Sequence, residues 1–423
     1  AETSAVFDAG WSSRPVYRIG GGGNQATLNI GAGYFENILT GTANVQLAAV
    51  PTGNATPGIR YINGNLAGVT LQNRNDLSAA SRVFANLGTT LNLNSPYAIG
   101  AATLVVNGGT VAFNAPFRNP IALVADAAFN ATGTLLGPID LAPNGAPGTR
   151  TITFGTNALA INGVISGNGA NLVRAGNANI GAFFNGVNTY TGTTTLAGGD
   201  TYVGQSVLPN QPGAFGNSDT PVLISSTGIF ATFGNLSIGR ALIFSAGGTF
   251  RNWSPSDVRV TGGISIQAGT VRIDQYSVGT LTSGAVMDLA GPITGAGAVT
   301  FGNDTAASTT TTGIIRLSPG PNGYSLNTFS GGATWLQGRL QIAANTLYYG
   351  AASSPTIVSG PFGTGTLSLT KSGFGDSGWM EAYGANRVIV NTLAAINWNA
   401  SSAHSFGGRF SLTFARNLDI NAG

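Results

Sequence analysis

The chain contains no cysteine, one histidine and one lysine among its 423 residues. Without cysteine there is no disulfide and no thiolate metal site. His404, as the only imidazole, excludes paired-histidine metal centres and leaves a Ser-His-Asp arrangement with a single base. Its neighbours Ser402 and Ser405 stand in strand-like sequence, where adjacent side chains point to opposite faces. Charge is equally scarce. Charged residues make up 8% of the chain, against about 25% in an average domain. The acids are dispersed without a DD or DxD pair, the nearest two being Asp376 and Glu381, which disfavours the clustered carboxylates of pectinase-type enzymes. The calcium-binding glycine-rich nonapeptide is also missing.

Basic residues give a formal net charge of +3, yet no two of them are adjacent. Nucleic-acid binding calls for clustered cations that displace counterions, so it is disfavoured. Scattered arginines are expected to make local hydrogen bonds on loops and edges. No run of 18 apolar residues exists, hence no expected membrane-spanning helix. No window of about a dozen residues holds an i, i+3, i+4 apolar pattern free of Gly, Pro or Asn clusters, so helices are not expected.

Glycine supplies 64 residues and hydrophobic types 43%, enough burial to offset chain entropy in a folded β protein. Short runs rich in Thr, Val, Ile, Leu and aromatics alternate with period 2, as in ATLNIGAG at 26–33 and ANVQLAAV at 43–50. Strands this short need neighbours above and below. Residues 1–24, with Trp11, Arg14, Pro15, Tyr17 and Arg18 ahead of the glycines Gly20 to Gly23, break the pattern and read as a terminal cap or contact segment. The four glycines lack the GxxxxGK[ST] form of a phosphate loop.

Longer pieces recur in order. PYAIGAATLVVNGGTVAF, PGAFGNSDTPVLIS and GPFGTGTLSL align at Gly100, Gly216 and Gly363. Each is followed by a strand, a small-residue turn and an aromatic strand, beginning at Asn119, Gly239 and Asn386. INGVISGNGANLV from Ile161 pairs with LAGPITGAGAVTF from Leu289, and NTYTGTTTLAGG from Asn188 pairs with NTFSGGATWLQG from Asn327. Ordered recurrence of several distinct pieces marks a solenoid. One β-solenoid is expected over residues 25–423, with repeats near 75–187, 188–326 and 327–423. Coils of some 20 to 25 residues stacked at about 4.8 Å would build a rod of roughly 80 to 100 Å. Insertions at Pro51–Ile59, Leu141–Thr151, Leu208–Gly213, Thr305–Gly323 and Tyr349–Gly360 are expected to be loops, where any specificity would reside.

The run GNGANLVRAG…NTYTGTTTLAGG, followed by PGAFGN and GRALIF, resembles the autotransporter-associated repeat of bacterial passenger domains over most of residues 75–423. Asn188, Tyr190, Gly192, Thr194 and Gly199 fit its pattern, as do Asn327, Phe329, Gly331 and Gly338. The resemblance implies an all-β, right-handed parallel β-helix, exported to the cell surface or beyond in a double-membraned bacterium, with a structural role and no catalysis or cofactor. The start at Ala1 accords with signal-peptide removal. The membrane barrel of that family is not in the sequence, and LDINAG at 418–423 stops inside a repeat, so the chain reads as a processed passenger or as a unit meeting another molecule there.

Three functions follow as expectations: a secreted fibre, sheath or filament subunit joined end to end through Trp11, Tyr17, Leu418 and Ile420; an adhesin binding a glycan or matrix surface through Trp253 and Trp398; and, third, a polysaccharide-active enzyme. A first test is Thr194→Pro, which removes a ladder hydrogen bond between coils. It is expected to lower the thermal midpoint, and an unchanged midpoint refutes a strand there.

Overall fold

A computed structural model describes residues 16–19, 27–31, 39–47, 68–131, 133–225, 227–275, 284–302, 313–336, 338–352, 354–370, 378–394 and 404–415. Among them the fold is a parallel β-helix. Strands of two to six residues succeed one another along the chain, and each pairs with a strand one coil away. Side chains bonded between coils lie from 20 to 42 positions apart. The only helical element among the described residues is a 3-10 turn at Pro143–Gly145, and no helix is long and apolar enough to cross a membrane.

The chain forms two compact units, Ala1–Gly192 and Thr193–Gly423. In the first, one sheet runs through Val16–Ile19, Asn44–Leu47, Arg82–Asn86, Thr103–Asn107, Ile121–Leu123, Ile139–Asp140 and Ile165–Ser166; a second begins at Thr27–Ile30 and reaches Asn171–Gly176; a third holds Thr134–Leu135, Leu159–Ile161 and Gly181–Phe184. The second unit repeats the plan. Its first sheet comprises Thr194–Leu196, Val222–Ile224, Leu242–Phe244, Ile264–Ile266 and Ile293–Thr294; its second runs from Asp200–Val203 to Leu367–Leu369; its third runs from Leu236–Ile238 to His404–Gly407.

Period-2 alternation makes every second residue an interior one, and in-register parallel pairing then stacks like upon like. In the first unit Val45, Val83, Leu104, Ile121, Ile139 and Ile165 form one buried ladder, while Val69, Leu91, Val111, Phe129 and Phe154 form another. In the second unit Phe230, Phe250, Ile273, Phe301, Trp335 and Leu369 stack along the second sheet. Phe230 and Phe250 lie nearly parallel, centroids 5.3 Å apart.

The expected insertions fare unequally. Leu141–Thr151 contains the 3-10 turn, with Asn144 in the left-handed region, and already holds the start of the strand Thr149–Phe154. Tyr349–Gly360 is no plain loop: Leu347–Tyr349 pairs antiparallel with Thr356–Ser359. Pro51–Ile59 and residues 305–312 lie outside the described residues, and the remainder of Thr305–Gly323 is not all loop, since it holds the strand Ile314–Leu317, paired on both sides.

The corner ahead of the first sheet leaves no room for side chains. In the first unit a Cβ on Gly137 would come within 2.1 Å of the Asn119 carbonyl oxygen, and one on Gly163 within 1.9 Å of that of Gly137. The second unit repeats this, with Gly262 on Arg240 and Gly291 on Gly262. Overpacking of this kind costs about 1–3 kcal/mol or more. Gly163→Ala is therefore expected to lower the urea midpoint, whereas Gly323→Ser, in open space on a turn, should shift it far less despite its positive φ. Equal shifts would contradict the close approach.

Candidate functional site

The residues that defined the repeats secure corners and turns of this kind. In a regular coil the first N–H of a first-sheet strand finds a backbone carbonyl in the next coil, as Ile139 does at Val164 and Ile264 at Pro292, both at 2.8 Å. At Ile165 and Ile293, the last strands of the two first sheets, the acceptor is the side-chain Oδ1 of Asn188 (2.7 Å) and Asn327 (2.8 Å). Asn75, unmarked in the sequence reading, does the same for Leu39 at 3.0 Å. The other end of the amide reaches onward: Asn75 Nδ2 donates to the Ala98 carbonyl and Asn327 Nδ2 to that of Pro361. These asparagines are buried, with no more than 5% of their surface exposed.

The rest of the motif has matching roles. Tyr190 and Phe329, two residues on, are fully buried. Gly192 and Gly331 press on the backbone of the coil beside them, where a Cβ would lie 2.1 Å from the Ala170 carbonyl oxygen or 2.5 Å from the Gly297 carbonyl carbon. Gly199 and Gly338 have φ of +63° and +85°, which glycine adopts without penalty.

Gly100, Gly216 and Gly363 close tight turns, each N–H donating to the carbonyl three residues back, with φ between +60° and +73°. Buried amides again secure two of these turns. Asn119 Nδ2 donates to the carbonyls of Gly100 and Ala102, and Asn391 Nδ2 to those of Gly363 and Gly365. The equivalent of Asn119 is thus Asn391 and not Asn386, which lies in the turn before Arg387–Ile389 and accepts from the Ser411 N–H. At the middle turn a guanidinium takes the amide's place: Arg240, 1% exposed, donates to the carbonyls of Phe215 and Thr220. Arginines were expected at loops and edges. Arg150 and Arg387 fit, donating to nearby carbonyls, but Arg174, Arg240 and Arg251 are buried. Burial lowers the pKa of Arg387 below its ordinary value.

Two polar assemblies in the second unit were not legible in the sequence. The first is a buried step along the second sheet. Thr232, Asn252 and Gln275 stand in register and are hydrogen-bonded in series at 3.1 Å. Beside them Arg251 and Asp274 form an ion pair at 2.9 Å with side chains only 8% and 2% exposed. A cavity of about 10 Å³ adjoins Asp274 and Gln275, the room of one water. The second assembly lies on the outer side of the third sheet, where register stacks Arg259, Asp288, Arg316, Gln341 and Glu381. Arg316 Nε donates to Gln341 (2.8 Å), and Gln341 Nε2 to Glu381 Oε1 (2.7 Å). Arg339 and the Trp379 indole N–H also donate to the Glu381 carboxylate. Among the described residues no group of three His, Cys, Asp or Glu is placed to hold a metal ion.

Trp253 is half-buried, with the Arg251 guanidinium carbon 4.9 Å above its ring and the Tyr202 ring edge-on at 6.2 Å. Tyr17 belongs to the strand Val16–Ile19. Trp11, Trp398, Leu418 and Ile420 lie outside the described residues. Comparison of the chain with protein-family models, with curated proteins and with solved structures gives no match. The resemblance to the passenger repeat thus stands on the residues quoted for it.

The buried ion pair gives a sharp test. Asp274→Ala leaves the Arg251 charge buried and should cost about 3–5 kcal/mol, while joint replacement by Met at 251 and Leu at 274 should recover most of that loss. Urea unfolding of the single and double variants reads both, and a double variant no better than the single refutes the pairing.

Proposed function

We propose that the chain is a structural β-solenoid of the passenger type, secreted or held at a bacterial cell surface, and that it associates with further copies of itself. One observation carries this reading. The residues that recur along the sequence, Asn188 and Asn327 with Gly100, Gly216 and Gly363, are those that join one coil to the next or close the turns between coils. What repeats is therefore coil stacking, and a chain whose recurrent chemistry is stacking is suited to building length.

Self-association follows from the same geometry. Among the described residues Val16–Ile19 and Thr27–Ile30 have a strand neighbour on one side only, and so do His404–Gly407 and Leu412–Phe414. A parallel strand with an open side presents N–H and C=O groups in register for another strand, and head-to-tail pairing extends into filaments when its symmetry does not close. Low charge removes the repulsion that would oppose it.

Sedimentation velocity over a wide concentration range, with negative-stain electron microscopy of the same samples, checks the proposal. The expected outcome is a concentration-dependent series of species and elongated assemblies. A single monomer at every concentration overturns the assembly reading.

A further inference from the structure

The outer side of the third sheet in the second unit carries two exposed aromatic rings on one strand. Trp379, Glu381 and Tyr383 alternate along and just beyond Gly378–Ala382 and so share a face, with the Cα atoms of the two aromatic residues about 13 Å apart by strand geometry. Trp379 is 43% and Tyr383 41% exposed, while Glu381 between them is 6% exposed.

The indole is held in place. Its N–H donates to Glu381 Oε2 at 3.2 Å, which satisfies its one polar atom within the protein. Its six-membered ring rests against Gly407, where a Cβ would approach Cζ2 to 2.9 Å. Glu381 is fixed in turn by Arg339 Nε at 2.9 Å and Gln341 Nε2 at 2.7 Å. The Tyr383 ring reaches across the sheet to Arg316, whose guanidinium carbon lies 4.1 Å from its centroid. Two aromatic planes thus flank a polar strip, each positioned before any ligand arrives.

We infer that this strip binds a neutral linear polysaccharide, with sugar rings laid on Trp379 and Tyr383 and hydroxyls meeting the guanidinium of Arg339 between them. A pyranose offers an apolar C–H face that stacks on an aromatic plane and a rim of hydroxyls that pairs with charged groups. The alternation ring, polar strip, ring matches that chemistry. A protein partner would call for a contiguous apolar centre, which this strip lacks. A nucleic acid would call for open cations, whereas Arg316 and Arg339 are bonded to Gln341 and Glu381. Pinning the indole beforehand reduces the ordering cost of binding. The inference is independent of self-assembly: a strict monomer could carry the strip, and a filament could lack it.

Affinity electrophoresis in native gels containing laminarin, arabinoxylan, galactomannan, dextran or polygalacturonate tests it. At least one of the four neutral polymers is expected to retard the protein. Trp379→Ala should weaken that binding about tenfold, the equivalent of losing one stacked ring, and Trp379→Phe should keep most of it. Tyr97→Ala, which alters an exposed ring of the first unit, should leave retardation unchanged. Far-UV circular dichroism verifies folding, and should Trp379→Ala fail to fold, Tyr383→Ala supplies the same reading. The inference is overturned by any of three outcomes: no retardation by a neutral polymer, full retardation of a folded Trp379→Ala, or retardation by polygalacturonate alone that disappears with salt.

Discussion

Everything in this molecule depends on a carbonyl being present above each inward-stacked N–H. Beyond the continuous backbone this solenoid has no covalent cross-link between coils, and its coils are held by ladder hydrogen bonds and the apolar columns those bonds align. Where a first sheet continues, backbone supplies the acceptor. Where it ends, at Ile165 and Ile293, the chain inserts an asparagine whose Oδ1 stands in for the missing carbonyl. A buried N–H without an acceptor costs about 1–3 kcal/mol, so the position tolerates few alternatives. Asparagine suits it because one short planar group accepts from one coil and donates to another. The neighbouring aromatic and glycine then follow, the ring filling the interior that the strand no longer lines and the glycine letting the backbone close over it.

The same stacking accounts for the composition. In-register parallel pairing places identical positions of successive coils about 4.8 Å apart, so an outward column of one charge sign repels itself along its whole length. Amides do not. Asn114 donates to Asn94, which donates to Gln72, at 2.7 and 2.8 Å, and Asn185 donates to Asn162 at 2.9 Å. Each side chain is both donor and acceptor and the column propagates without net charge. The outer column of the third sheet meets the same constraint by alternation, Arg259 against Asp288 and then Arg316.

Much of this is legible in the sequence. Alternation showed which residues face inward, and the spacing of Asn188 and Asn327 with their aromatics and glycines marked equivalent corners. What the sequence could not reveal is which coil lies over which, since that depends on the length of each excursion between strands. Arg316, Gln341 and Glu381 are neighbours only because the chain returns to the same sheet after different intervals. Asn386 stood in the place of Asn391 for the same reason: both are asparagines a residue ahead of an apolar stretch, and only the contact with Gly363 and Gly365 separates them. Arg240 escaped because a guanidinium fills an amide's place by a different reach. Trp379 was passed over for Trp253 because exposure on a sheet is a property of the neighbouring coil, here a glycine at 407.

The antiparallel pair Leu347–Tyr349 and Thr356–Ser359 leaves the solenoid and returns to it at Gly360, whose N–H rejoins Asn327. Its tip carries Tyr349, 68% exposed, and Gly350 at positive φ. Both stems are tied to each other and their re-entry is fixed by the corner, so the register of the coils is indifferent to how many residues the tip contains. Such a place accommodates foreign sequence. A peptide tag or epitope grafted between Tyr349 and Thr356 would be carried outward on a closed stem, making the solenoid a display scaffold whose cargo can change while its ladder does not.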